Sequence, residues 1–169
     1  MIALDEAQWQ PLATALRNEA QEYAWLLSLL EQQQKGILEQ NYAEFPELTH
    51  SIDEQLRTTA EKRNNREMLA QELRLQNGLD EQATLRSLIE LIEGPVRGMF
   101  EELLNELRSL TERLQNRSRQ NKLMLARANE ISRELLSYLQ PTQSQTTYTQ
   151  RGYLAFKTNS RSTSLSVKA

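Results

Sequence analysis

The segment between Pro95 and Pro141 constrains this chain more than any other feature. It contains no proline, and its apolar residues repeat every seven positions. One series reads Phe100, Leu107, Leu114, Asn121, Ala128, Leu135; the other reads Leu103, Leu110, Arg117, Met124, Ile131, Tyr138. Six heptads of this kind predict one helix from about Val96 to Gln140, with a packing seam of coiled-coil type. At ~1.5 Å per residue it would be ~65 Å long. Such a helix is not stable alone in water, so the first two helices of the chain are expected to cover its stripe.

Those helices are legible upstream. From Trp9 a seven-residue repeat runs through Leu16, Tyr23, Leu30 and Ile37, with companions at Leu12, Leu26, Leu27 and Leu38. This first helix begins at Asp5 or at Pro11, a residue tolerated in a first turn. It is expected to end near Tyr42–Phe45, because the residue before Pro46 disfavours the α conformation. A second helix starts at Pro46 or at the capping box Ser51-Ile52-Asp53-Glu54. Leu48, Ile52, Leu56, Leu69 and Leu73 mark its inner face, and Gly78 stops it. Asp80 then caps a short helix bearing Leu85, Leu88, Ile89 and Ile92, which Gly94-Pro95 breaks. The expected fold is all-α: an elongated antiparallel bundle of three long helices with one short helix.

Composition excludes much else. The chain has 169 residues with 5 Gly and 4 Pro, too few turn formers for a β-sandwich or a nucleotide-binding α/β sheet. With no Cys and one His, thiolate chemistry, a Cys-type zinc site and a Ser-His-Asp triad have no basis. The longest apolar run, Tyr23–Leu30, is broken by Ser28, whereas a membrane-spanning helix needs ~20 residues. The N-terminus is acidic and lacks the basic start of a secretory signal. A cytoplasmic protein without membrane insertion is expected.

Charge divides the chain. Residues 141–169 hold Arg151, Lys157, Arg161 and Lys168 and no acid, while 14 of these 29 residues are Ser, Thr or Gln. Residues 1–140 carry 16 basic and 23 acidic side chains. So polar a segment buries too little apolar area to offset its ordering entropy. The expected organisation is a helical domain over 1–140 and a flexible, basic tail over 141–169.

Few residues suggest chemistry. His50 has Asp53 three positions away and no further ligand, so it reads as a solvated residue near a helix start. The acid pairs Glu19–Glu22 and Glu101–Glu102 lack the Glu-x-x-His companions of di-iron bundles and read as a solvated face. The basic set Arg113, Arg117, Arg119, Lys122 and Arg127 is flanked by Glu112 and Glu130 in a net-acidic domain, which argues against nucleic acid as a partner. No Gly-rich phosphate loop occurs, and no cofactor or metal is expected. Asn121 in the seam either fixes register or marks a thin spot.

The end of the long helix carries more apolar side chains than one seam uses. Leu123, Leu125, Leu136 and Leu139 lie off both heptad series. Either the first or the short helix covers them as well, or they form an exposed groove that accepts a partner helix. In the tail, Tyr148, Tyr153 and Phe156 form an aromatic cluster of the kind that orders on binding.

The run Asn116-Arg117-Ser118-Arg119-Gln120-Asn121-Lys122-Leu123-Met124-Leu125, continued by Leu135-Leu136-Ser137-Tyr138-Leu139-Gln140-Pro141, resembles the last helix of FlgN-type flagellar export chaperones. Tyr148-Thr149-Gln150-Arg151-Gly152 is similar to that family's tail, which has Tyr and Gly four apart; Thr149 stands where the family often has a small residue. The resemblance implies a non-enzymatic cytoplasmic chaperone of the type III export system. Its implied partners are helical C-terminal segments of the hook–filament junction proteins FlgK and FlgL and the export gate protein FlhA. Implied client-binding residues are Asn121, Leu123, Leu125, Ala128, Leu136 and Leu139; Tyr148 and Gly152 match the gate-docking motif. A monomer or weak dimer is expected. The competing reading is a self-associating coiled-coil scaffold, in which the surplus stripe pairs with its own copy.

Overall fold

A computed structural model of the chain describes residues 6–80, 82–90, 92, 94–139, 147–148 and 154–155. Four helices follow one another: α1 Glu6–Leu38, α2 Phe45–Gln76, α3 Leu85–Glu90 and α4 Pro95–Leu139. The chain divides into two units, Met1–Ala128 and Asn129–Ala169. The second contains the last turns of α4 and a two-residue antiparallel ladder of β1 Thr147–Tyr148 with β2 Leu154–Ala155, in which Thr147 pairs with Ala155 and Tyr148 with Leu154. That ladder was not expected from the tail's composition. The rest of the expected flexible tail lies outside the described residues.

Helix boundaries follow local chemistry, with three corrections. α1 stops at Leu38, several residues before the expected end, because Gln40 turns left-handed (φ 55°). The amide of Gln40 then donates to the Ile37 carbonyl, and that of Asn41 to the Gly36 carbonyl, the paired closing bonds of a Schellman ending. Gly36 itself is required by close packing: a Cβ there would stand 2.7 Å from the Phe45 ring. α2 begins at Phe45 with Pro46 in its first turn, so Ser51 is interior and its hydroxyl donates back to the Glu47 carbonyl instead of capping. It ends as expected at Gly78 (φ 67°), where Leu79 N–H donates to the Arg74 carbonyl. The cap of α3 is Thr84, whose hydroxyl accepts from Ser87 N–H; Asp80 instead accepts from Gln82 N–H in a preceding turn. Gly94 (φ 80°) and Pro95 reset the chain for α4.

The long helices alternate in direction. Glu22 meets Gln55 and Glu19 meets Arg66, so α2 returns along α1. Trp9 meets Phe100 edge to face at 6.3 Å, and Leu30 meets Asn121, so α4 runs parallel to α1. One core joins them, built from Leu12, Leu16, Leu26, Leu27 and Leu30 of α1, Ile52, Ala70 and Leu73 of α2, Leu88 and Ile89 of α3, and Phe100, Leu103, Leu107, Leu110 and Leu114 of α4. A fully buried Leu or Phe contributes roughly 1.5–3 kcal/mol relative to exposure, so this stripe is what holds α4 in place. Three expectations of burial or exposure fail. Leu38, a companion of the α1 stripe, is 69% exposed at the last residue of that helix. Leu56 is half exposed, because Ile52, Gln55 and Thr59 take the buried side of α2. Glu19 is not on a solvated face: it is 2% exposed and paired with Arg66.

Candidate functional site

The burial of α4 stops abruptly. Seam residues are buried from Phe100 to Leu114 and again at Asn121. Beyond Asn121 no residue of α4 is buried: Met124, Leu125 and Ala128 are half-buried, and Leu123 (65% exposed), Leu135 (58%), Leu136 (58%), Tyr138 (82%) and Leu139 (77%) are open. The expectation that other helices cover all six heptads is therefore wrong for the last two. Ile131, Leu135 and Tyr138 were assigned to the covered seam, and all three are exposed. Helix length is the physical cause. α1 ends eight residues after Leu30, whereas α4 continues for eighteen after Asn121.

Asn121 marks the border. Its Nδ2 donates to the Leu30 carbonyl at 2.7 Å and to Gln33 Oε1 at 3.0 Å, and its Oδ1 is buried without a partner. One turn earlier, Arg117 donates to Gln34 Oε1 and, at 3.4 Å, to Glu31 Oε1. Gln34 Nε2 also reaches Gln120 Oε1 at 3.4 Å. Polar side chains thus clasp α1 to α4 at the last covered turn. A buried amide that bonds only one helical register penalises slippage. Asn121 therefore faces α1 in this structure, and is not grouped with the exposed residues proposed beside it.

An α-helix repeats its direction after eighteen residues, about five turns. Leu125 stands eighteen after Leu107, Leu136 thirty-six after Phe100, and Leu139 thirty-six after Leu103, so by spacing they match side chains that are buried in the first half. A seven-residue repeat drifts by ~20° per heptad, which is why these leucines fall off both heptad series. Leu123 stands eighteen after the exposed Asn105 and does not share this spacing. The side chain of Tyr148 and the whole of Gly152 fall outside the described residues; the Tyr148 backbone is in the β1–β2 ladder.

Polar clusters elsewhere are structural. Arg66 Nε donates to Glu19 Oε2 at 2.8 Å, and Arg66 Nη1 to Glu67 Oε2 at 2.7 Å. Glu67 also accepts from Arg74 Nη1 at 3.0 Å. Burial pushes the Glu67 carboxyl up, yet the Arg74 hydrogen bond and the charges of Arg66 and Arg74 outweigh it and hold the group below its ordinary value. Burial raises the Tyr23 phenol, helped by the charge and hydrogen bond of Glu19. His50 reaches Glu54 at 3.5 Å, not Asp53, and both are exposed. Among the described residues no group of three or more His, Cys, Asp or Glu is placed to hold a metal ion. No described helix is long and apolar enough to cross a membrane.

In comparison with known families, the model described as FlgN protein aligns with residues 5–155. That span contains all four helices and the β1–β2 ladder. No curated protein and no solved structure matches the chain.

Proposed function

The chain belongs to the FlgN family, and from that membership and the open half of α4 we propose how it divides its work. Members of this family are cytoplasmic, non-enzymatic chaperones of flagellar export that serve hook-associated proteins. In the proposal, the clients are the helical C-terminal segments of FlgK and FlgL. They lie on α4 beyond Asn121, against Leu125, Ala128, Leu136 and Leu139, where they complete the seam that α1 leaves unfinished; Leu123 stands on the other side of the helix and is left out of the proposed face. Asn121 serves the site indirectly, by fixing the register at which the covered part ends. Tyr148 and Gly152 dock the loaded chaperone on FlhA.

One observation carries this reading: at the end of α4 the large apolar side chains Ile131, Leu135, Leu136, Tyr138 and Leu139 are 45–82% exposed. Exposed apolar area of this kind mark interaction surfaces, and an amphipathic helix in a groove is the matching mode of recognition. Holding a client on such a face would keep its own apolar helices from premature assembly. Binding draws on apolar burial at roughly 25 cal/mol per Å² before ordering costs, so no nucleotide is needed.

The test is calorimetry of the full chain against FlgK and FlgL C-terminal segments, with Leu136→Asp and Leu139→Asp as variants. Both variants are expected to retain the parent helix content and lose client affinity by tenfold or more. Unchanged affinity in both would refute the assignment of this face. If the free chain instead sediments as a stable dimer that Leu139→Asp dissociates, the face pairs with a second copy and the scaffold reading takes its place.

A further inference from the structure

A groove between α3 and the start of α4 lies wholly within the unit Met1–Ala128 and uses none of the α4 residues beyond Asn121. Its volume is about 240 Å³. The floor is apolar: Ile89 is 1% exposed and Leu104 is half-buried. The rim is basic, with Arg86 on α3 and Arg97 and Arg108 on α4. Arg97, Leu104 and Arg108 stand at spacings of seven and four, which keeps them on one face of the helix. From Arg97 to Arg108 is about 16 Å along the axis.

The rim charges are loosely engaged. Arg86 meets Glu90 at 3.7 Å and Arg97 meets Glu101 at 2.8 Å, each four residues along its own helix. All four side chains are 45–71% exposed, and exposed pairs of this kind contribute little. Arg108 has neither an ion pair nor a hydrogen bond among the described residues. Three arginines thus stand against two glutamates here, whereas residues 1–140 carry 23 acidic and 16 basic side chains. A patch opposite in sign to the domain around it orients an incoming partner and fixes its register. Guanidinium forks match the carboxylate in geometry as well as charge. A chain of phosphates would gain nothing from the apolar floor and would meet the two glutamates as like charges.

We propose that this groove is a second binding site, which takes a short acidic peptide segment of a partner protein with an apolar side chain set between carboxylates. The apolar side chain packs on Ile89 and Leu104. One carboxylate pairs with Arg108, and another takes Arg97 from Glu101. The span from Arg97 to Arg108 matches about eleven residues of helix or about five of extended chain.

The test is titration of the full chain into a labelled peptide of leucines flanked by glutamates, about twelve residues long, followed by fluorescence anisotropy. Saturable one-to-one binding is expected. Arg108→Gln, at an exposed position, is expected to keep the parent helix content and weaken binding fivefold or more. Arg113→Gln, also exposed on α4 but outside the groove, is expected to bind within twofold of the parent. Absence of saturable binding overturns the proposal. Equal weakening by the two arginine variants overturns it as well, since the attraction is then diffuse. A leucine-free glutamate peptide or inorganic polyphosphate that binds as tightly would make the groove a polyanion site instead. Binding that Leu139→Asp abolishes and Arg108→Gln spares would place the peptide on the end of α4 and refute the groove.

Discussion

Replacing Arg66 by methionine strands a charge inside the bundle, and the size of the penalty can be worked out in advance. Glu19 is 2% exposed, and its Oε2 accepts from Arg66 Nε at 2.8 Å across the α1–α2 contact. Methionine keeps much of the stem volume and removes the cation. With its partner gone the carboxylate is left buried and unpaired, which costs about 3–5 kcal/mol when one side of a buried pair is removed. The Arg66–Glu67 contact adds little, because Glu67 is 53% exposed. Arg66→Met is therefore expected to cost about 3 kcal/mol at pH 7. Urea denaturation followed by helix ellipticity measures it, with m-values compared to confirm that the same surface unfolds. The double variant Glu19→Leu/Arg66→Met, which removes both charges, should return to within about 1 kcal/mol of the parent. A loss under about 1 kcal/mol would show that water reaches Glu19 and would refute the reasoning.

Further outcomes follow from single positions. Gly36→Ala should lose about 1 kcal/mol despite alanine's helix preference, since overpacking costs ~1–3 kcal/mol and the added Cβ meets the Phe45 ring at 2.7 Å. Gly98→Ala, in open space on α4, should gain about 0.5–1 kcal/mol; thermal melts that rank the two the other way would contradict the packing. In a spectrophotometric titration of the five tyrosines, one should ionise above the rest and vanish in Tyr23→Phe. A phenol raised on folding contributes stability that is present below its unfolded pKa and lost as pH rises through the folded one, so Tyr23 favours the fold up to the alkaline range. Leu139→Asp should change stability by less than about 0.5 kcal/mol, because the side chain is 77% exposed; a large loss of melting temperature would assign it to the core. Tyr148→Ala is expected to weaken binding to the gate domain by about 2 kcal/mol, the size of an interface hot spot, and to leave client binding nearly unchanged; an equal loss for both ligands would place the tail in the client site.

The sequence by itself determined that the chain is helical, where its three long helices lie, and which faces of α1 and of the first half of α4 are apolar. Periodicity carries this because a helix projects every third or fourth residue onto one side, whatever it packs against. Gly78, Gly94 and Pro95 were legible as stops, since few residues adopt those backbone angles at no cost. The Asn121 seam position and the apolar surplus after it were legible for the same reason. What covers a stripe is a different matter, because it depends on where the neighbouring helix ends. Gln40 ends α1 in a left-handed conformation that its side chain does not advertise, and the last turns of α4 are exposed as a result. Partnership of charges is equally non-local. Glu19 and Arg66 lie 47 residues apart, and only the antiparallel return of α2 turns a solvated-looking glutamate into half of a buried pair. Leu125, Leu136 and Leu139 lie off the heptad series because a helix repeats after eighteen residues and a seven-residue series drifts off its face. Local pattern fixed which side chains seek cover; only the tertiary structure decided which of them find it, and the ones left without are the candidate site.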